Sequence, residues 1–511
     1  MDCRDNVGTL DRPESASAAR SGGTKGRFGV FLLVAALGVL LTSGNLRVGD
    51  SSVVYSVAGN LLQKGTFEAT PLAGHEEFVV LAGADGKVYC RFGLGHVLLG
   101  VPPWLAGSAL AAVWPGSAAV FDLPQIRFTT LDDVPAAVRD FTASLVNSFV
   151  MGLLAVGVLG LARRLGLSHR AAVAAAVTAG IASPLFFLAS DLTSEPASGA
   201  ALVFAAVALA RLESQAARGR ASTTTAALAG AALGAAVLFK FAHGVLLPAG
   251  ALAFLLAVGW PSRRTLAAWA AFLGAIGACL AAIAAYNAVR FGSPLETGYT
   301  DAGDFTASIL EGAFGQLASP GRGLLVFFPV ALAALVGAPA LWRASRSVAA
   351  LTFGALLSLW ALYSQWHGWD GGWTYGPRLL SPATALLAIP AVMAARTAGS
   401  LPGRVAAAAA FALSFGMSLL GFAVDYEDYC FYLWRTHGER MLDVIRWSFA
   451  DAPIAAYWTF PLRRQTLLEH ALDPGFPWPL HVVLAVALTA FVVAVVLLTR
   501  AIRAPEKGSA P

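Results

Sequence analysis

Apolar runs about 20 residues long recur from one end of this chain to the other, and each is long enough to cross a hydrocarbon layer as a helix. Backbone N–H and C=O groups find no water in such a layer, so the runs have to be helical. They fall at 28–44, 142–162, 171–190, 197–212, 224–241, 242–259, 265–286, 323–341, 349–364, 378–394, 405–424 and 481–500. Composition agrees. Only 13% of the 511 residues are charged and the mean hydropathy is +0.66, against roughly 25% charged in soluble domains. The expected fold class is an all-α polytopic membrane protein of about 12 transmembrane helices.

Short basic links set the expected orientation. RRLGLSHR (163–170), RLESQAARGR (211–220), PSRR (261–264), WRASRS (342–347) and RTAGSLPGR (396–404) join successive runs. The positive-inside rule places them in the cytoplasm, together with a polar tail at 1–27, read as disordered, and the tail at 501–511. One further apolar segment, 93–113, breaks the parity. It is read as interfacial or re-entrant, which its Pro102-Pro103 pair and His96 suit. Four large segments then face outward: 45–141, 287–322, 365–377 and 425–480. Under this orientation 24 of the 30 Asp and Glu lie outside, while 20 of the 35 Lys and Arg lie inside. The reactive carboxylates are expected on the extracytoplasmic face of a plasma (inner) membrane. The chain divides into a module at 28–395 and C-terminal helices at 396–500 that carry the 425–480 loop.

Several function classes drop out. The net charge of +5 and pI near 9.1 come from dispersed basic residues rather than a patch, so nucleic acid is not an expected partner. No GxxxxGK[ST] loop is present, which argues against a nucleotide-driven pump. Cys3, Cys90, Cys279 and Cys430 form no CxxC pair, so a zinc or redox motif is not expected. Cys90 and Cys430 share the outer side, either as two unrelated thiols or as a disulfide.

Six polar constellations interrupt the apolar pattern. Asp50 opens an amphipathic stretch in RVGDSSVVYSVAGNLLQKGTF (47–67), either as a helix cap or as a reactive carboxylate. Arg91 stands in KVYCRFGLG (87–95), where glycines would let a phosphate approach; the alternative is an interfacial anchor. Asp191 and Glu195 are four apart in SDLTSEP (190–196), at the mouth of two spans. Lys240 in LFKFAH (238–243) has to snorkel or face a polar cavity. Arg290, Glu296 and Arg322 sit among glycines and prolines in 286–329, where turn chemistry accounts for the latter but not for the arginines. His367, Asp370, Tyr375 and Arg378 lie in SQWHGWDGGWTYGPR (364–378), with an aromatic belt as the alternative to a sugar site.

Taken in order, these elements resemble the GT-C superfamily of polyprenyl-phosphate-sugar-dependent glycosyltransferases, which includes protein O-mannosyltransferases and lipid A aminoarabinose transferases. The carriers are GDSSVVYSVAGNLLQKGTF, RFGLG, SDLTSE and RFGSPLETGY…SPGRGLL…GGWTYGPRLL, over roughly 28–395. The resemblance implies an inverting transfer, with the acidic residue that opens the first outer loop, Asp50, as general base. Many members carry an Asp-Glu pair there, whereas this chain has Asp50-Ser51. A divalent metal (Mg or Mn) is therefore left open, and no cofactor is assigned. Donor phosphate contacts are expected from Arg91, Arg290, Arg322, Arg378 and Lys240. Acceptor or sugar contacts are expected from Tyr55, Asp191, Glu195, Glu296, Tyr299, His367, Asp370 and Tyr375. The implied partners are a polyprenyl-phosphate sugar, membrane lipid, and an acceptor lipid, glycan or protein. The rival reading is a transporter, flippase or ligase of lipid-linked saccharides.

Overall fold

The computed structural model describes residues 13–72, 79–121, 136–299, 305–460, 466–473 and 475–503, with side chains from residue 24 onward. Helix dominates it. Helix α1 (Pro13–Leu41) leads through a short loop to α2 (Gly49–Lys64). A hairpin of β1 (Val80–Ala82) and β2 (Val88–Cys90) pairs antiparallel with Leu81 opposite Tyr89. Then come α3 (Leu94–Val113), α4 (Ser117–Phe121), α5 (Ala136–Arg164), α6 (His169–Val177), α7 (Leu185–Leu188), α8 (Ser194–Ala216), α9 (Thr223–Phe239), α10 (Leu247–Val258) and α11 (Leu266–Phe291). The second half holds α12 (Ile309–Ala318), α13 (Leu324–Phe327), α14 (Val330–Ala344), α15 (Arg346–Tyr363), α16 (Ser381–Thr397) and α17 (Leu401–Leu420). It ends with α18 (Tyr426–His437), α19 (Met441–Trp447), α20 (Pro453–Ala456), α21 (Leu467–His470) and α22 (Trp478–Arg503). Helix α1 starts inside the segment read as a disordered tail, so 13–27 are corrected to helix. Residues 1–12 lie outside the described residues.

Ten helices among the described residues are long and apolar enough to cross a membrane, and Thr223–Phe239 and Val330–Ala344 are shorter apolar helices. Apart from α3, these helices and the α6–α7 unit match the twelve expected spans. The chain is a multi-pass membrane protein. Where one continuous span was expected at 171–190, the helix breaks. A π-turn at Thr178–Ala182 ends in extended Ser183, and Pro184 starts α7. Proline disfavours helical backbone at the residue before it, which is why the break falls there. The Ser183 hydroxyl donates to the Ala179 carbonyl at 2.6 Å. Small residues let the helices approach closely: α9 packs along α11, and α14 along α16.

Helix α3 explains the parity problem. Gly93 and Gly95, at its start, lie against the backbone of Leu238 and Phe239 at the end of α9. Midway, the Pro103 carbonyl accepts from Thr142 at 2.8 Å, and Gly107 rests on Arg139 near the start of α5. Its far end packs with Phe121, Phe141 and Leu480 near the start of α22. These partners all belong to one end of the bundle, the end with the long loops. Helix α3 therefore lies across that end rather than through the bundle, and its continuous helix fits an interfacial piece rather than a re-entrant one.

Gly337 of α14 faces the Pro390 carbonyl of α16 so closely that a Cβ there would collide with it. Gly337→Leu is expected to cost about 1–3 kcal/mol through overpacking. The cost should appear as a lowered melting temperature in detergent; an unchanged one would mean that the two helices are not held at this spacing.

Candidate active site

Four charged side chains from separate elements meet at the loop end. Glu195, in the first turn of α8, is fully buried. Its Oε1 accepts from Arg378 Nε at 2.8 Å and from Lys240 Nζ at 3.0 Å. Arg378 turns Nη2 to Asp50 Oδ2 at 2.9 Å and Nη1 to Thr374 Oγ1 at 3.2 Å. Lys240 reaches Glu195 because α9 stops at Phe239 and Lys240 is extended. The result is a chain Lys240–Glu195–Arg378–Asp50 of alternating charge.

Asp50 lies in the first turn of α2, but it does not cap that helix. The cap position is Val48, without a side-chain bond. Asp50 Oδ1 makes no hydrogen bond among the described residues, and the side chain stays 15% exposed. One oxygen is held by Arg378 and the other is open to a proton. Arg91 follows β2 and lies over the Tyr299 ring at 5.4 Å. Its Nε is buried without a partner, as is the Tyr363 hydroxyl near Lys240. The Lys240 ammonium lies 5.9 Å from the Tyr363 ring centroid. Tyr299 is within electrostatic reach of both Asp50 and Arg378, which joins Arg91 to the cluster.

Several expected ligands are engaged in holding the protein itself, mostly its backbone. Arg290 is buried and donates to the carbonyls of Cys90 and of Phe92 (3.4 Å) and to Asn287 Oδ1 at 2.7 Å. It grips both residues that flank Arg91. Arg322 is buried and donates to the carbonyls of Thr374 and of Gly372 (2.5 Å). It shapes the loop leading to Arg378, where Gly371 and Gly372 adopt positive φ of 81° and 67°. Asp191 accepts the amides of Arg47 at 2.7 Å, Val48 at 2.9 Å and Leu192 at 2.6 Å. Burial raises its carboxyl from the ordinary value, against the pull of the Val48 and Arg47 amides. It fixes the loop that carries Asp50. Asp370 is buried between Arg446 Nε at 2.7 Å and the Gly372 amide at 2.9 Å.

The tyrosines behave alike. Tyr55 donates to the Arg139 carbonyl at 3.0 Å, and Tyr375 to the Met417 carbonyl at 2.6 Å. Both are buried, so neither hydroxyl is available as a sugar contact. Glu296 Oε1 accepts its own turn's Gly298 amide at 2.8 Å. His367 is exposed, with its ring against Trp366 and its carbonyl accepting from Arg446. Cys90 and Cys430 are free, buried in different clusters. Gly93 and Gly95 make room for the end of α9, not for a headgroup.

A divalent ion fits this donor set poorly. Asp50 and Glu195 are the carboxylates that converge, and Arg378 and Lys240 already balance them. Among the described residues no group of three or more His, Cys, Asp or Glu is arranged to hold a metal ion. Sequence reasoning missed Tyr363, one residue before the motif-rich window, and Arg47, Asp425 and Glu427. Arg47 pairs with Asp425 at 3.4 Å, and Asp425 also caps α18 through the Glu427 and Asp428 amides. A cavity of about 40 Å³, lined among others by Arg47, Asp191, Trp373, Asp425 and Glu427, joins that helix to the Asp50 loop.

No protein-family model matches the chain, and no curated protein does. Among solved structures it is similar to ArnT from Cupriavidus metallidurans bound to undecaprenyl phosphate. The identity is 14% and the TM-score 0.45, covering 96% of this chain and 78% of that one. It is also similar to the oligosaccharyltransferase AglB from Archaeoglobus fulgidus in complex with an inhibitory peptide and a dolichol-phosphate. There the identity is 14% and the TM-score 0.43, covering 88% of this chain and 61% of that one. Likeness at this level assigns no role to any residue here, and the chemistry is read from this chain's own side chains.

Burial, and then Asp425, hold the Glu427 carboxyl well above its ordinary value of 4.5, against the pull of Arg47. A carboxyl raised in this way contributes stability that is full below the ordinary value and lost as pH rises through the raised one. Glu427→Gln is therefore expected to raise the melting temperature near neutral pH and leave it unchanged in acid. A melting series from about pH 4 to 8 checks this; parallel profiles for the two proteins would contradict it.

Proposed function

We propose that this chain is an integral-membrane glycosyltransferase of the GT-C type, acting on the extracytoplasmic side of a plasma (inner) membrane. It moves a sugar from a polyprenyl phosphate to an acceptor lipid, glycan or protein. The observation that carries this reading is the Lys240–Glu195–Arg378–Asp50 chain, with one free carboxylate oxygen at one end and the unpaired Arg91 beside it.

The acceptor hydroxyl or amine attacks the anomeric carbon as the bond from that carbon to the phosphate oxygen breaks. Asp50 Oδ1 takes the acceptor's proton, and Arg378 holds Oδ2 so that the free oxygen faces the acceptor. The lipid phosphate leaves with the bonding electron pair. Arg91, with the N–H groups of Lys240 not committed to Glu195, stabilises the developing negative charge. One displacement inverts the anomeric centre. Because Arg378 and Lys240 supply the positive charge, no step is assigned to a divalent metal.

Purified protein in nanodiscs, given a panel of labelled polyprenyl-phosphate sugars, tests the reading. Transfer is expected to release the lipid phosphate and place the label on a new covalent product. A flippase would only move the label across a vesicle membrane. Asp50→Asn is expected to lower turnover by about 10²–10⁴-fold, with the melting temperature retained; wild-type turnover would remove Asp50 from the mechanism. Arg91→Ala should raise the KM for the donor more than that for the acceptor, and the opposite split would count against its phosphate role. EDTA should leave the rate unchanged.

A further inference from the structure

The segment from α18 to α20 holds a cleft of about 640 Å³, which the chemistry at Asp50 does not use. That volume lies within the roughly 300–1,000 Å³ typical of small-ligand sites. We propose that this cleft binds a saccharide, and that in the transfer proposed above it seats the glycan of the acceptor. The second half rests on the transferase reading; the first does not.

The wall chemistry points to a sugar. Tyr429, Tyr432 and Phe460 form one aromatic cluster, with Tyr429 and Tyr432 stacked at 6.2 Å and Phe460 edge-on to Tyr432 at 5.3 Å. The Tyr429 hydroxyl donates to the Asp451 carbonyl at 2.6 Å, which fixes that ring. Tyr432 stays 48% exposed, so a broad π surface is open to the C–H face of a pyranose. The rest of the lining mixes polar groups, Asp428, Arg435, Asp451 and Thr459, with Phe431 and two alanines. Asp451 Oδ2 accepts from Ser448, while Oδ1 stands 3.9 Å from His437 Nε2. Arg435 is exposed and makes no hydrogen bond among the described residues. Planar carboxylate and guanidinium groups suit the neighbouring hydroxyls of a sugar ring. A lipid tail would gain nothing from that rim.

The cleft is also placed to serve the centre. Helix α18, which lines it, begins at the Asp425 cap that pairs with Arg47, three residues before Asp50. Trp373 packs edge-on against Phe431 of the cleft at 4.8 Å and also lines the small cavity beside Asp191. A glycan seated on Tyr432 therefore lies on an element fastened directly to the loop of the proposed base.

The test uses the full chain in nanodiscs on a printed array of neutral and acidic oligosaccharides, with no donor present. Selective retention of at least one glycan class is expected. Tyr432→Ala and Arg435→Ala each remove an exposed side chain, so folding is expected to survive. Each should weaken that retention roughly tenfold, while Asp50→Asn leaves it unchanged. No retained glycan, or retention indifferent to both cleft variants, overturns the proposal. If cleft binding persists while the labelled-donor assay yields no product, the saccharide site stands and only its acceptor role fails.

Discussion

The loop end depends on the fully buried carboxylate of Glu195. An ionised carboxylate away from water is costly unless paired and hydrogen-bonded. Here one oxygen takes charged donors from two directions, Arg378 at 2.8 Å and Lys240 at 3.0 Å. Those contacts fasten the end of α9 and the turn just before α16 to the start of α8. Removing one partner of such a buried pair typically costs about 3–5 kcal/mol, because the remaining charge is left without compensation. One guanidinium, that of Arg378, holds both Glu195 and Asp50. Reactive geometry and helix packing are thus tied to the same ion pairs.

A second layer keeps that arrangement in place, and it is built from charges that hold backbone. Arg290 grips the carbonyls on both sides of Arg91. Arg322 grips the loop before Arg378. Asp191 collects the amides of Arg47 and Val48 just ahead of Asp50. Asp50, Arg91 and Arg378 therefore each have a buried charged residue fixing the backbone beside them. Loops rich in glycine have many conformations to lose, and charged hydrogen bonds to backbone groups are strong enough to select one.

Much of this was legible in the sequence. Period, length and basic links predicted the twelve helical spans, and charge asymmetry demoted the segment that becomes α3. Asp50, Arg91, Glu195 and Arg378 were legible as polar groups in or beside outer loops, and Lys240 as a charge interrupting an apolar run. What could not be read was which charge meets a charge and which meets a carbonyl. Arg290 and Arg322 look like Arg91 in sequence, because all three neighbour glycines; only packing separates clamp from candidate ligand. The break at Ser183-Pro184 is marked by its proline, yet hydropathy averages over it. The Arg47–Asp425 pair joins residues hundreds of positions apart, so no local pattern announces it.

The charge balance of the cluster suggests the order of events in the proposed reaction. Asp50 and Glu195 offset Arg378 and Lys240, which leaves Arg91 as the excess positive charge, stacked on Tyr299 with its Nε unsatisfied. A buried donor without a partner costs about 1–3 kcal/mol, and an incoming phosphate would remove that cost. In the proposed reaction the donor phosphate is then favoured by Arg91. Asp50 cannot supply the same pull on an acceptor, since Arg378 already neutralises it. In the proposed reaction acceptor recognition then falls to another surface, and the aromatic cleft of α18, fastened to Arg47, is the one proposed for it.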